Sequence, residues 1–172
     1  MQGLTKTLSI PTVAQTSRYL QYMEDAYLLF PVPKFSPSFK KRVVTPNKYY
    51  AIDNGLRRVN SPQSTADLGH RLENAVFLAL RRNKRRVSYA GEKNLWECDF
   101  VTDTEAIQVC ANLNAQNQER EVRGALQGAA LPGKRRAVIV TLDQRDRLEI
   151  DGRTVDVIPA WEWLTETAAL RV

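Results

Sequence analysis

The sequence predicts a mixed α/β (α+β) protein, a sheet of mixed direction with helices on its faces, and three observations carry that reading. From Asp67 to Thr167 the hydrophobic pattern runs helix, three strands, helix, strand, hairpin, helix. "RAVIVTL", residues 136–142, is a continuous apolar, β-rich run of the type buried on both faces in parallel sheets. Leu68, Leu72, Ala75, Val76, Ala79 and Leu80 recur at helical spacing, which marks an amphipathic helix in need of a sheet to cover. With 172 residues, 43% of them hydrophobic, the chain is long enough for one well-buried core and a small appended module.

The first element is a helix over about Thr12–Asp25. Ser9, Pro11 and Thr12 form its entry, and Val13, Thr16, Tyr19, Leu20 and Met23 give it helical spacing. "AYLLFPVPKFS" then reads as a short apolar strand stopped by Pro31 and Pro33. "KKRVVTPNKYYAIDNGL" reads as a return strand with a turn at Pro46-Asn47, ending at Asn54-Gly55. A helix followed by a basic hairpin is the order of the second half of a winged helix, so residues 1–60 are expected to form a partial winged-helix module and linking strand. "VNSPQSTA" is a polar loop, and 61–172 form the main domain.

In that domain the helix Asp67–Arg82 ends on the basic run Arg81–Arg86, favourably for the helix dipole. Strands are expected at about 86–90, 95–102 and 106–113, a helix over "NQEREVRGALQGAAL", a hairpin at Asp151-Gly152, and a closing helix at Trp161–Thr167. Gly128 to Arg135 nearly matches the phosphate-cradling GxxxxGK[ST] loop. That loop must leave a strand and open a helix, and here the run leaves a helix, enters a strand and carries Arg135 in place of the hydroxyl. No nucleotide site is assigned to it.

Charge is unevenly placed. Residues 1–60 hold nine Lys/Arg against three acids, which is the whole net charge of +6, and the remainder holds sixteen of each sign. Arg18, Lys34, Lys40, Lys41, Arg42 and Lys48 are therefore the candidate nucleic-acid contacts, and DNA the partner expected for this segment. No run approaches the ~20 apolar residues of a membrane span, so no membrane partner and a cytoplasmic location are expected. The two cysteines, Cys98 and Cys110, form no CxxC or Cys/His cluster, so neither zinc nor a disulfide framework is supported.

"LWECDFVTDTEAIQVC", residues 95–110, reads as two strands and a tight turn. By strand alternation Glu97 and Asp99 point one way and Cys98 and Phe100 the other, while Gln108 and Cys110 share a face on the next strand. In register, Asp99 sits beside Gln108 and Cys110. Glu73 lies on the helical stripe His70, Glu73, Phe77, Leu80, where a carboxylate needs a partner.

These residues carry a resemblance. "LENAVFLAL", "ECDFV" and "AIQVC" are similar to the restriction-endonuclease-like PD-(D/E)XK fold, and more closely to the winged-helix and nuclease-like C-terminal region of uncharacterised prokaryotic AAA-type P-loop ATPases. "TVAQTSRYLQYMEDAYLLF", "KYYAIDNGL" and "VIPAWEWL" resemble that region as well. The resemblance implies Glu73 and Asp99 as the helix Glu and strand Asp that hold Mg²⁺ in active members. It sets Gln108 at the position of the second acidic ligand and Cys110 at that of the lysine. A neutral amide and a thiol remove one anion and the cation, so the expected function is a nucleic-acid- or ATPase-associated module with a degenerate catalytic site, with no cofactor certain. The alternatives are an active Mg²⁺-dependent deoxyribonuclease using Glu73, Asp99 and a relocated partner, for which Glu97, Lys93, Arg123 and Gln127 are the candidates, and a docking or homo-oligomerisation domain for an ATPase. His70 is read as a helix-surface or site-rim residue rather than a ligand, and Trp96, Trp161 and Trp163 as core or rim packing.

Overall fold

The structure, a computed structural model, describes residues 2–38, 45–60 and 67–169. A short helix α1 (Gln2–Thr7) precedes α2 (Val13–Asp25), whose Thr12 hydroxyl caps it by accepting from Gln15 N at 3.1 Å. The Thr5 and Thr16 hydroxyls, 2.8 Å apart, tie the two helices together. Strands β1 (Leu29–Val32) and β2 (Lys48–Ala51) pair antiparallel, with Pro31 opposite Tyr49. Proline is tolerated here because each strand of a two-stranded sheet has a free edge.

Asn54-Gly55 is not the strand-ending turn its sequence suggests. It opens a helix, α3 (Asn54–Asn60), because the Asp53 carboxylate accepts from Leu56 N at 2.9 Å and so caps it. Asn54 also donates to the Arg71 carbonyl and accepts from Asn74, pinning the start of α3 to the next helix.

Helix α4 (Asp67–Arg82) is followed by β3 (Ser88–Glu92), β4 (Trp96–Val101), β5 (Glu105–Val109), α5 (Gln118–Ala129), β6 (Arg136–Thr141), β7 (Asp146–Ile150), β8 (Arg153–Pro159) and α6 (Ala160–Ala169). The six strands form one mixed sheet in the order β3-β4-β5-β6-β8-β7. β5, β6 and β8 are parallel, and the outer pairs are antiparallel. The expected mixed sheet flanked by helices is thus present. "RAVIVTL" is its buried middle strand, and Asp151 (φ 50°) with Gly152 (φ 71°) makes the two-residue turn of the last hairpin. β5 stops at Val109, short of the expected 113, and the chain turns there into α5.

Two apolar layers sandwich the sheet. On one face Val76, Phe77 and Leu80 of α4 meet Phe100, Ile107, Val109, Val138 and Val140, and Phe30, Val32 and Tyr50 of the β1–β2 hairpin join this same cluster. On the other, Val122, Ala125 and Leu126 of α5 cover Cys110, Ala137, Ile139, Val155 and Val157. Among the described residues no helix is long and apolar enough to cross a membrane. Gly128 closes α5 and Gly133 (φ 81°) lies in the turn before β6, so the near-match to a phosphate loop runs from helix to strand, as its sequence context requires.

Candidate functional site

A broad cleft of about 2180 Å³ runs between the β1–β2 hairpin, α4 and the ends of β4 and β5. Its centre holds Lys48, Glu73, Glu97 and Asp99. The Lys48 Nζ lies 2.6 Å from Glu97 Oε1, 3.2 Å from Asp99 Oδ1 and 3.8 Å from Glu73 Oε1. Lys48 and Tyr50 share the inward face of β2, and the Tyr50 hydroxyl donates to Glu73 Oε1 at 2.6 Å. Tyr50 is fixed in turn by its ring stacking on Phe77, with centroids 4.6 Å apart.

Asp99 reaches this cluster through a backbone irregularity. Ser88 pairs with Val101, but Ala90 pairs with Cys98, so β4 carries one extra residue between them. This bulge breaks the alternation expected for 97–100. Cys98 and Phe100 do not share a face: Phe100 packs with Tyr50 and Phe77 toward α4, whereas Cys98 packs with Ala90 and Ala106. Asp99, freed from the pleat, turns its Oδ1 to Lys48 and accepts from Val109 N on Oδ2 at 3.1 Å. Its expected neighbour Gln108 meets it only through the backbone, the side-chain oxygen accepting from Asp99 N at 3.2 Å. Cys110 lies in the α5 layer.

The electrostatics follow from burial. Desolvation and the nearby Glu73 raise the Asp99 carboxyl to about 7, against the lowering effects of Lys48 and the Val109 amide. Burial alone would lower Lys48, but Asp99, Glu97 and Glu73 outweigh it and hold the ammonium above its ordinary range. Burial and then Glu73 push the Tyr50 phenol upward. Burial, with Glu121 and Asp99, raises the Cys110 thiol to about 12, so it is a neutral group.

Of the expected site residues, the structure brings Glu73, Asp99, Gln108 and Cys110 to the lining of one cleft, Cys110 also packing against the α5 layer. Lys48 is the principal correction. Placed by the sequence among the nucleic-acid contacts, it instead pairs its ammonium with Glu97, Asp99 and Glu73. The signal for this was its position two residues before an aromatic on one strand. Arg18 is exposed on α2 and Lys34 lines the cleft wall, bridged to Tyr89. Lys40, Lys41 and Arg42 lie outside the described residues. Among the relocation candidates, Glu97 is in the cluster and Lys93 on the cleft rim, whereas Arg123 pairs with Glu119 and both Arg123 and Gln127 face solvent. His70 stands at the rim, its Nδ1 3.7 Å from Glu73. Trp163 is buried, Trp96 half-buried, and Trp161 exposed rather than packed. Sequence reasoning missed Glu121, whose side chain is 2% exposed and whose Oε2 accepts from Gln108 Nε2 at 2.7 Å.

These residues do not fit a resident divalent ion. Among the described residues no group of three or more His, Cys, Asp or Glu side chains is arranged to hold a metal. Both Asp99 oxygens are engaged, Glu73 accepts from Tyr50, and the ammonium of Lys48 sits where the carboxylates converge. A magnesium ion, which demands about six oxygens in near-ideal octahedral geometry, would have to displace it.

Comparison with known proteins gives a family model, "Domain of unknown function (DUF8612)", matching residues 2–66. An uncharacterized protein of Methanocaldococcus jannaschii is 33% identical over 158 residues, covering 84% of this chain and 35% of that protein. An uncharacterized protein of Haemophilus influenzae is 29% identical over 160 residues, covering 91% of this chain and 38% of that one. The chain therefore spans little more than a third of the length of the curated relatives it matches. No solved structure matches it.

Proposed function

We propose that the chain is a nucleic-acid-associated module of restriction-endonuclease-like fold that does not hydrolyse its ligand, and that it works in the cytoplasm beside an AAA-type ATPase region. One observation carries this reading: the focus of the acidic cleft is filled by the protein's own ammonium, Lys48, which neutralises part of the charge that a hydrolytic metal would otherwise balance. The replacement of the strand acid by Gln108 and of the strand lysine by the neutral Cys110 thiol supports it. Nucleic-acid affinity is assigned to the basic residues left outside the cluster, Arg18 on α2 and Lys34 on the cleft wall. The test is incubation of the purified chain with plasmid and single-stranded DNA in Mg²⁺ or Mn²⁺. No chelator-sensitive cleavage above background is expected, and cleavage that disappears in Asp99→Ala would overturn the reading.

A further inference from the structure

We infer that Gln108 and Glu121 are an obligate amide–acid pair, with its single buried acid on helix α5 and Gln108 joining that acid to Asp99. Glu121 is 1% exposed although it carries a carboxylate. Its Oε2 accepts from Gln108 Nε2 at 2.7 Å, and its Oε1 accepts from the guanidinium of Arg120, with Nε at 3.1 Å. On the other side, Gln108 Oε1 accepts from Asp99 N at 3.2 Å.

The orientation of the Gln108 amide follows from its neighbours. A peptide N–H can only donate, so the amide oxygen must face Asp99 N, and the amide nitrogen must then face Glu121. At neutral pH a carboxamide of this length offers an acceptor to one partner and a donor to the other, which an ionised carboxylate cannot do. A glutamate at 108 would still accept from Asp99 N, but its second oxygen would lie about where Nε2 now lies, against the Glu121 oxygen. Two buried carboxylates at that separation cannot both ionise. Exchanging the two residues, glutamate on the strand and glutamine on the helix, would make the same bonds with the same total charge. The pair thus has two equivalent solutions with one acid between them, and this chain uses the version with the acid on the helix. Gly124, one turn along α5, permits the close approach, since a Cβ there would meet Gln108 Oε1 at 3.0 Å.

The inference is independent of whether the cleft hydrolyses anything, and its test needs no nucleic acid. Thermal unfolding of the full chain is followed at pH 5 and pH 8 for wild type, Gln108→Glu, Glu121→Gln and the double variant. The charged and titratable groups facing the pair are Arg120 from α5, Cys110 just past the end of β5 and Asp99 from β4, with Lys48 beyond Asp99.

Gln108→Glu is expected to lower Tm by roughly 10 °C at pH 8 and to recover most of that at pH 5. A carboxyl whose pKa is raised on folding contributes stability below its unfolded value, about 4.3 for Glu, and loses it as pH rises through the folded value. Glu121→Gln alone should show a small loss with no such pH dependence, because Gln108 Nε2 still finds an amide oxygen. The double variant should lie within about 3 °C of wild type at both pH values. A Gln108→Glu defect that does not change with pH overturns the inference, as does a double variant no better than Gln108→Glu. If Gln108→Glu does not fold at pH 8, the double variant must fold there, and its failure counts equally against the inference.

Discussion

Removing the ammonium from a cluster of three carboxylates separates a structural ion network from a solvated one. In Lys48→Met, Glu73 and Asp99 lose their cation while remaining largely enclosed, and unfolding free energy is expected to fall by about 2–4 kcal/mol in urea titrations. An unchanged midpoint would mean that water already screens the cluster. Asp99 supplies a prediction with a defined sign. Its carboxyl titrates at about 7 in the folded chain, above the usual carboxylate value, so the stability it contributes is complete below about pH 4 and is lost as pH rises toward and through 7. Asp99→Asn should remove that component, making the variant's urea midpoint vary less between pH 4 and 8 than the wild type's. An identical pH profile would refute the assignment. Under the proposed function, Cys110→Lys alone should not create cleavage in Mg²⁺, since Gln108 beside it still supplies no anionic ligand.

At the scale of elements, α5 and β4 decide the geometry of the cleft. Gly124 sets how near α5 can come to β4 and β5: a Cβ there would press on the Glu97 carbonyl as well as on Gln108. Gly69, on α4, has nothing within 4 Å of its added Cβ. The two glycines should therefore respond oppositely to alanine. Gly124→Ala is expected to cost about 1–3 kcal/mol through overpacking, whereas Gly69→Ala should stabilise by up to about 1 kcal/mol through helix propensity. Equal effects in thermal unfolding would show that α5 is not held at contact distance. The longer helices α2, α4 and α5 were legible in sequence because an amphipathic stripe and a capping threonine are local signals, whereas the six-residue α1 carries no such stripe and was not legible. The bulge in β4 was not, since "WECDFV" reads as a regular alternation and the extra residue exists only relative to β3. Helix α3 was hidden for a similar reason: Asn-Gly signals a turn until Asp53 and Asn74 supply the bonds that favour a helix.

For the molecule as a whole, the β1–β2 hairpin contributes Phe30, Val32 and Tyr50 to the core beneath α4, and Lys48 to the cleft. Nucleic-acid binding is therefore best measured on charge variants of the intact chain rather than on a chain cut before α4. Under the proposed function, Arg18→Ala and Lys34→Ala should each weaken binding uniformly across DNA sequences and reduce the slope of log affinity against log salt by about 1. Fluorescence anisotropy at several salt concentrations gives both quantities, and variants indistinguishable from wild type would remove these residues from the interface.

By itself the sequence determined the class of fold, the identity of the buried middle strand, the closing hairpin and the presence of Glu73 and Asp99 as acids in need of partners, because periodicity, turn chemistry and the penalty on a buried charge are local properties. Only the tertiary structure decided which partners they have. Lys48 is 51 residues from Asp99 along the chain, and Glu121 lies on a helix facing away from α4. Both are charged residues that composition alone assigns to the surface. Packing reverses that assignment, since enclosing a carboxylate is tolerated only where a cation or hydrogen-bond donor arrives with it, and which donor arrives depends on sheet order and on one extra residue in β4.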